Sequence, residues 1–193
     1  MAVRPNVIDC TNATEALIDL CADLDDAGGV VRSAEAIGAE VLPPSYRALL
    51  DHRAHMTAVL SEFHGADVAL HVLAHRQVGD VYRRKIVLTV GDADRIVEFG
   101  LVRLDLSVVG DAVRTAIIER RRPLGAILIA HDVLTRVVPR WFVRFAPDSP
   151  VVAMFGTDGK EPVYGRIGMI YFHKEPAVEL LEVVTDRASE GCA

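Results

Sequence analysis

Cysteine is scarce. Cys10, Cys21 and Cys192 are an odd count, and no two of them stand at zinc-site spacing. A disulfide framework and a thiolate metal centre are both excluded, and the chain reads as a reduced, cytoplasmic protein. Long apolar runs are missing too. Stretches such as 126–130 fall far short of the roughly 20 residues that cross a bilayer. Met1 to Asp9 has no signal-peptide pattern and no lipidation box is present, so no membrane partner is expected. Aromatics make up only 6% of the chain, leaving a core of Val, Leu, Ile and Ala. Excess positive charge is absent: 21 Lys and Arg face 27 Asp and Glu, for a net charge of −6. No global field draws the chain to nucleic acid, so any bound anion must be held by local charge.

Motifs are equally sparse. GxGxxG, Walker A and GxSxG are absent, which removes support for nucleotide binding and α/β-hydrolase chemistry. His52 and His55 are spaced i, i+3, and His71 and His75 lie near a strand. Neither pair has a third ligand at zinc spacing, and HExxH is absent. No metal or organic cofactor is expected.

What is present is a chain of 193 residues, 51% hydrophobic and 25% charged, enough for one domain with a substantial core. Residues 14–26 have helical apolar spacing, ended by Gly28 and Gly29. Ser45 is placed to cap one long helix over 45–63, with Gly65 as its stop. The period then changes to two. Strand-like runs cover 68–73, 82–90, 95–109, 151–155, 164–172 and 177–184, with a hairpin turn at 91–94. In 95–109, Val102, Leu104, Leu106 and Val108 alternate with Arg103, Asp105 and Ser107. Asp111 is placed to cap a helix over 112–121, and Pro123 to start another over 124–130. The pattern predicts an α+β fold, a single antiparallel sheet of about six strands with surrounding helices.

Three charges then stand out. Arg84 shares a strand face with Ile86, Leu88 and Val90. Arg166 shares one with Tyr164, Gly168, Ile170 and Phe172. Glu182 shares one with Val178, Leu180 and Val184, while Glu179 sits on the opposite face. A buried guanidinium needs an anion beside it. Taken alone, a structural ion pair or a wet strand end is the simpler reading of each arginine. Periodicity does not decide which of Glu179 and Glu182 points inward.

Five short matches occur in order. They are Met56-Thr57, Arg84-Lys85-Ile86-Val87-Leu88, Pro123-Leu124-Gly125, Tyr164-Gly165-Arg166, and Pro176 followed six residues later by Glu182. In these the chain resembles the chorismate lyase (chorismate pyruvate-lyase) family, in its divergent stand-alone branch, from Pro43 to Thr185. The helical spacing near the start gives an N-terminal helical extension over 1–40, which the resemblance does not cover; a chorismate lyase-like domain over 41–188 and a tail over 189–193 follow. The resemblance implies a closed internal ligand cavity under flap-like helical segments. It also implies conversion of chorismate to 4-hydroxybenzoate and pyruvate without metal or cofactor. Arg84 would grip the ring carboxylate and Glu182 the oxygen at ring position four, the acidic position falling on Glu182 rather than Glu179. Met56, Leu124, Gly125 and Tyr164 would line the pocket. Arg166, by its placement, is assigned to the second carboxylate, and retention of the product is expected. Two alternatives stay open. One is a related enzyme on another small aryl or enolpyruvyl acid. The other is a non-catalytic aromatic-acid sensor, because the same fold serves as effector domain in some bacterial transcription regulators. The first forty residues are too few and too acidic for the winged helix-turn-helix of such regulators. A monomer is expected, since no long exposed apolar strip is evident.

Overall fold

The structure, a computed structural model, describes residues 10–24, 27–91, 94–156 and 160–187. Cys192, Asp25, Asp26, the middle of the 91–94 turn and the 189–193 tail lie outside the described residues.

Seven strands form one antiparallel sheet: β1 (Ala34–Ile37), β2 (Ala69–Val78), β3 (Val81–Val90), β4 (Arg95–Asp105), β5 (Thr135–Phe145), β6 (Val163–Phe172) and β7 (Glu175–Val184). Their order is β1-β5-β6-β7-β4-β3-β2. Two runs of neighbouring strands, β2-β3-β4 and β5-β6-β7, are therefore joined side by side where β4 pairs with the last strand, β7. Helices cover both faces. On one lie α1 (Ala13–Cys21), α2 (Ala27–Ser33) and α7 (Pro150–Ala153), packed with Val87, Phe99, Leu101, Ile167 and Leu181. On the other lie α3 (Pro44–Leu50), α4 (Met56–His64), α5 (Asp111–Glu119) and α6 (Leu124–Ala130), packed over Ile86, Leu88, Val102, Leu180 and Val184. Burial of both faces is why β3 and β7 read as nearly continuous apolar runs rather than as clean alternations.

The structure differs from the sequence reading in several places. The run expected over 95–109 leaves the sheet after Asp105, with Leu106–Val108 in a 3-10 turn. The residues expected to cap helices, Ser45 and Asp111, lie inside them, behind Pro43 and Gly110. The helix expected over 45–63 is two helices, α3 and α4, separated by a break at residues 51–55. The carbonyls of Leu50 and His52 accept hydrogen bonds from Arg166 instead of continuing the helical ladder. The run at 151–155 is not a strand. Ser149 Oγ accepts from the Val152 amide and Pro150 occupies the first turn, so α7 starts there. Strand β5 was not anticipated, because Pro139 and three arginines interrupt its pattern. A register shift between Pro139 and Trp141 accommodates the proline. The glycines expected to end the first helix instead belong to α2. Gly65, by contrast, ends α4 in the left-handed region at φ 64°.

The early residues are built into the core. Helix α1 buries Ala16, Leu17 and Leu20, and β1 extends the sheet by pairing with β5. Among the described residues no helix is long and apolar enough to cross a membrane. Because Leu20 is fully buried, Leu20→Ala should lower unfolding free energy by about 2–5 kcal/mol. Chemical denaturation checks this, and a loss under about 1 kcal/mol would mean α1 merely rests on the sheet.

Candidate functional site

The antiparallel register brings the singled-out residues together. One rung across the sheet reads Ile86, Gly100, Glu182, Arg166 and Phe142 on β3, β4, β7, β6 and β5. A neighbouring rung carries Arg84, Val102, Leu180 and Gly168. The rung on the other side carries Leu88, Glu98, Val184 and Tyr164. All project toward the face under α4 and α6. There they enclose a cavity of about 50 Å³, lined from the sheet by Arg84, Ile86, Glu98, Val102 and Glu182. The start of α4 adds His55, Met56 and Thr57, and the start of α6 adds Pro123, Leu124 and Gly125. An engineered cavity that holds benzene measures about 150 Å³, so a ring-sized ligand enters this one only if α4 and α6 part.

Two glycines shape the space. A Cβ on Gly125 would lie 3.0 Å from His55 Cβ and 3.4 Å from Thr57 Oγ1, so its absence lets α6 close on α4. A Cβ on Gly100 would lie 2.9 Å from Ile86 Cγ1 and 3.3 Å from Glu98 Oε1. The bare backbone there is what gives the Glu98 carboxyl room over the floor.

The two arginines have opposite environments. Arg166 is 0% exposed and fully engaged. Its Nε donates to Glu182 Oε2 at 2.6 Å, and Nη1 donates to the carbonyls of Leu50 at 3.1 Å and His52 at 2.9 Å. It lies behind Glu182 and is not part of the cavity lining. Arg84 is also buried, at 2% exposure, yet its Nη1 has no hydrogen-bond partner among the described residues. Burial pulls its guanidinium below its ordinary value, against the opposite pull of Tyr82 and Glu98. A guanidinium stays charged at neutral pH all the same. Arg84 is thus a buried cation facing the cavity without an ion pair among the described residues. Tyr164 is not in the lining either. It packs on Tyr46 with ring centroids 4.7 Å apart.

Glu98 was missed by the sequence reading. It is buried, and its Oε2 is without a partner among the described residues. Burial pushes its carboxyl well above the ordinary range, and the negative charge of Glu182 adds to the shift while Arg166 and Arg84 oppose it. The signal was present, because the alternation that turns Val102 and Leu104 inward also turns Glu98 inward. His55 and His52 are both held below the ordinary imidazole value, chiefly by burial. His55 Nε2 is hydrogen-bonded to Thr135 Oγ1 at 3.0 Å.

Glu179 is on the other face. It is 0% exposed, and neither oxygen has a hydrogen-bond partner among the described residues. Arg140 Nη1 approaches it only to 4.0 Å. Beside it, Asp19 of α1 pairs with Arg83 at 3.2 Å and Arg103 at 3.3 Å. Burial, and then the charge of Asp19, raise Glu179 to about 7 from 4.5.

No protein-family profile matches the chain, and no curated protein matches it. Solved structures do. PhnF from Mycobacterium smegmatis aligns with a TM-score of 0.53 at 16% identity, over 70% of this chain and 66% of that one. The match thus spans just under two thirds of that protein. The effector domain of PhnF from the same organism aligns with a TM-score of 0.49 at 18% identity, over 70% and 91%. A GntR-family transcriptional regulator from Bacillus cereus aligns with a TM-score of 0.44 at 11% identity, over 65% and 96%. The chain has the chorismate lyase-like fold, an α+β arrangement on a single antiparallel sheet, that it shares with PhnF.

These findings correct the expectation of a chorismate pyruvate-lyase. PhnF, the neighbour with which the fold is shared, is not described as a lyase. The site gives a physical reason for the same correction. Chorismate is a dianion, and the arginine assigned to its second carboxylate, Arg166, already holds Glu182 and two carbonyls.

Two measurements follow. Arg166→Met leaves Glu182, 12% exposed, without its cation and should cost about 3–5 kcal/mol of stability, read by denaturant unfolding; a loss below about 1 kcal/mol would show the pair to be dispensable. For Glu179 the folded state holds its proton more tightly than the unfolded chain does. Its contribution is full below pH 4.5 and is lost as pH rises through about 7. Glu179→Gln should therefore flatten the fall of the denaturation midpoint across that interval; an unchanged profile would place the titration elsewhere.

Proposed function

We propose that this chain is a binding module for a small organic anion, a sensor domain rather than an enzyme, with Arg84 as its anion-reading residue. The observation that carries the reading is the Arg84 guanidinium itself. It is 2% exposed, faces an apolar-walled cavity and has no ion pair among the described residues. A buried cation left in that state costs stability, and a ligand carboxylate or phosphate that forms a bidentate pair offsets the cost.

The remaining groups favour binding over catalysis. Glu182 is pinned by Arg166 and so is poorly placed to move a proton. His55 is tied to Thr135. Met56, Leu124, Ile86 and Val102 supply apolar walls, which fit the organic part of a small acid. PhnF has an effector domain, and that role is carried to this chain as part of the proposal. Aromatic acids such as 4-hydroxybenzoate remain natural probes of the site, and their entry requires α4 and α6 to separate.

The test is thermal unfolding in the presence of butyrate, pyruvate, benzoate and 4-hydroxybenzoate at matched ionic strength. At a hundredfold excess over Kd a bound ligand adds about 2.7 kcal/mol, a rise of several degrees. At least one acid should produce such a rise, and Arg84→Met should abolish it while the protein stays folded. Absence of any rise, or an equal rise in Arg84→Met, would overturn the assignment. Release of pyruvate from chorismate at a catalytic rate would overturn the non-enzymatic part.

A further inference from the structure

Arg84 and Glu98 share one face of the sheet, two rungs apart, with the bare Gly100 rung between them. They are opposite in kind, and both are more than nine-tenths buried. Each nevertheless carries an orphan atom, Arg84 Nη1 and Glu98 Oε2, and no ion pair joins them. Two such groups facing one cavity are each missing a partner that a ligand would bring.

Charge counting narrows what that ligand is. The groups facing Glu98 are Arg84 on β3, Glu182 on β7, Arg166 on β6 and His55 ahead of α4. Arg166 and Glu182 cancel at 2.6 Å, and His55, buried and bonded to Thr135, adds no charge. What remains is one cation and one carboxyl. We infer that Glu98 is a specificity-determining residue of this cavity: with Arg84 it clamps a single carboxylate of a small monoanionic acid, and no cation is left for a second. Arg84 supplies the charge. Glu98, in its neutral form, donates its hydroxyl to the same carboxylate, a charge-assisted hydrogen bond of the short, strong class. A second carboxylate would be buried beside Glu182 and Glu98 with nothing to neutralise it, which disfavours a diacid.

Binding is then tied to a proton. When Glu98 ionises, its donor is lost and a like charge meets the ligand, so affinity falls with rising pH, by about tenfold per unit above the transition. The inference rests on the proposed function, and the test separates the two. Isothermal titration measures Kd from pH 5.5 to 9 for two isosteric pairs, 3-nitropropionate against succinate and 4-nitrobenzoate against terephthalate. It uses the wild type, Glu98→Gln, Glu98→Leu and Arg84→Met, each shown to be folded by circular dichroism. The expected result has four parts. A monoacid binds at least tenfold more tightly than its diacid, and wild-type affinity falls as pH rises. Glu98→Gln, which keeps a donor but cannot ionise, binds with a flat profile. Glu98→Leu loses at least tenfold at low pH. Arg84-dependent binding with no pH dependence, no loss in Glu98→Leu, or equal affinity for diacids overturns the clamp and leaves the anion-binding reading intact. No binding by any of the four acids, or binding indifferent to Arg84→Met, overturns both.

Discussion

The Nε of Arg166 lies 2.6 Å from a carboxylate oxygen of Glu182 in the middle of the sheet, and much of the molecule is arranged around that contact. A guanidinium at 0% exposure requires an anion and hydrogen-bond acceptors for its remaining protons. The anion comes from the neighbouring strand at the same rung. The acceptors come from the segment between α3 and α4, whose carbonyls turn away from a helical path to meet it. One side chain thus fixes the charge state of the cavity floor and the point at which the helical cover breaks. The start of α4 lines the cavity, so the same break determines where the cavity wall stands.

That arrangement divides the positive charge of the face into two kinds. Arg166 is spent on the fold, whereas Arg84 is not. Both look the same in a sequence pattern, as a cation among apolar strand neighbours. They differ only in what the register sets opposite them. Arg166 meets Glu182, while Arg84 meets Val102 and, beyond it, Leu180. On its other side stands His75 of β2, so no strand neighbour offers Arg84 a carboxylate, and its Nη1 has no hydrogen-bond partner among the described residues. The opposite face of the same sheet solves its charge problem differently. There Asp19 of α1 is placed between Arg83 and Arg103, and α1 is held by ion pairs as well as by apolar burial.

Much of this was legible in the residues. The antiparallel α+β class followed from period-two runs separated by turn residues, and Arg84, Arg166 and Glu182 were marked by charge on apolar faces. What escaped did so for identifiable reasons. Strand β5 hid behind Pro139 and its arginines, because the register shift that tolerates them depends on β6. The break between α3 and α4 depends on an arginine 116 residues away from Leu50, which no local pattern reveals. Glu179 and Glu182 have opposite parity on one strand. Only the pairing of Glu182 with Gly100 and Arg166 separates the cavity acid from the one under α1. Glu98 was legible by parity and was passed over because the run around it reads as an ordinary strand.

The motif likeness to chorismate lyases and the sensor reading are reconciled by the same accounting. Met56, Arg84, Leu124, Gly125 and Glu182 do meet around one cavity, so the short matches trace a real arrangement of chain. An arrangement of chain is not a reaction. Eliminating an enolpyruvyl arm from a dianion requires a second anion site and freedom to stabilise charge at the breaking bond. Here the second arginine is committed to the fold, and the acid that would assist is committed to that arginine. The unsatisfied groups left over, a guanidinium and a carboxyl, suffice to recognise a small acid. In the proposed reading these two groups bind the acid and leave it unchanged, which is what a sensor requires.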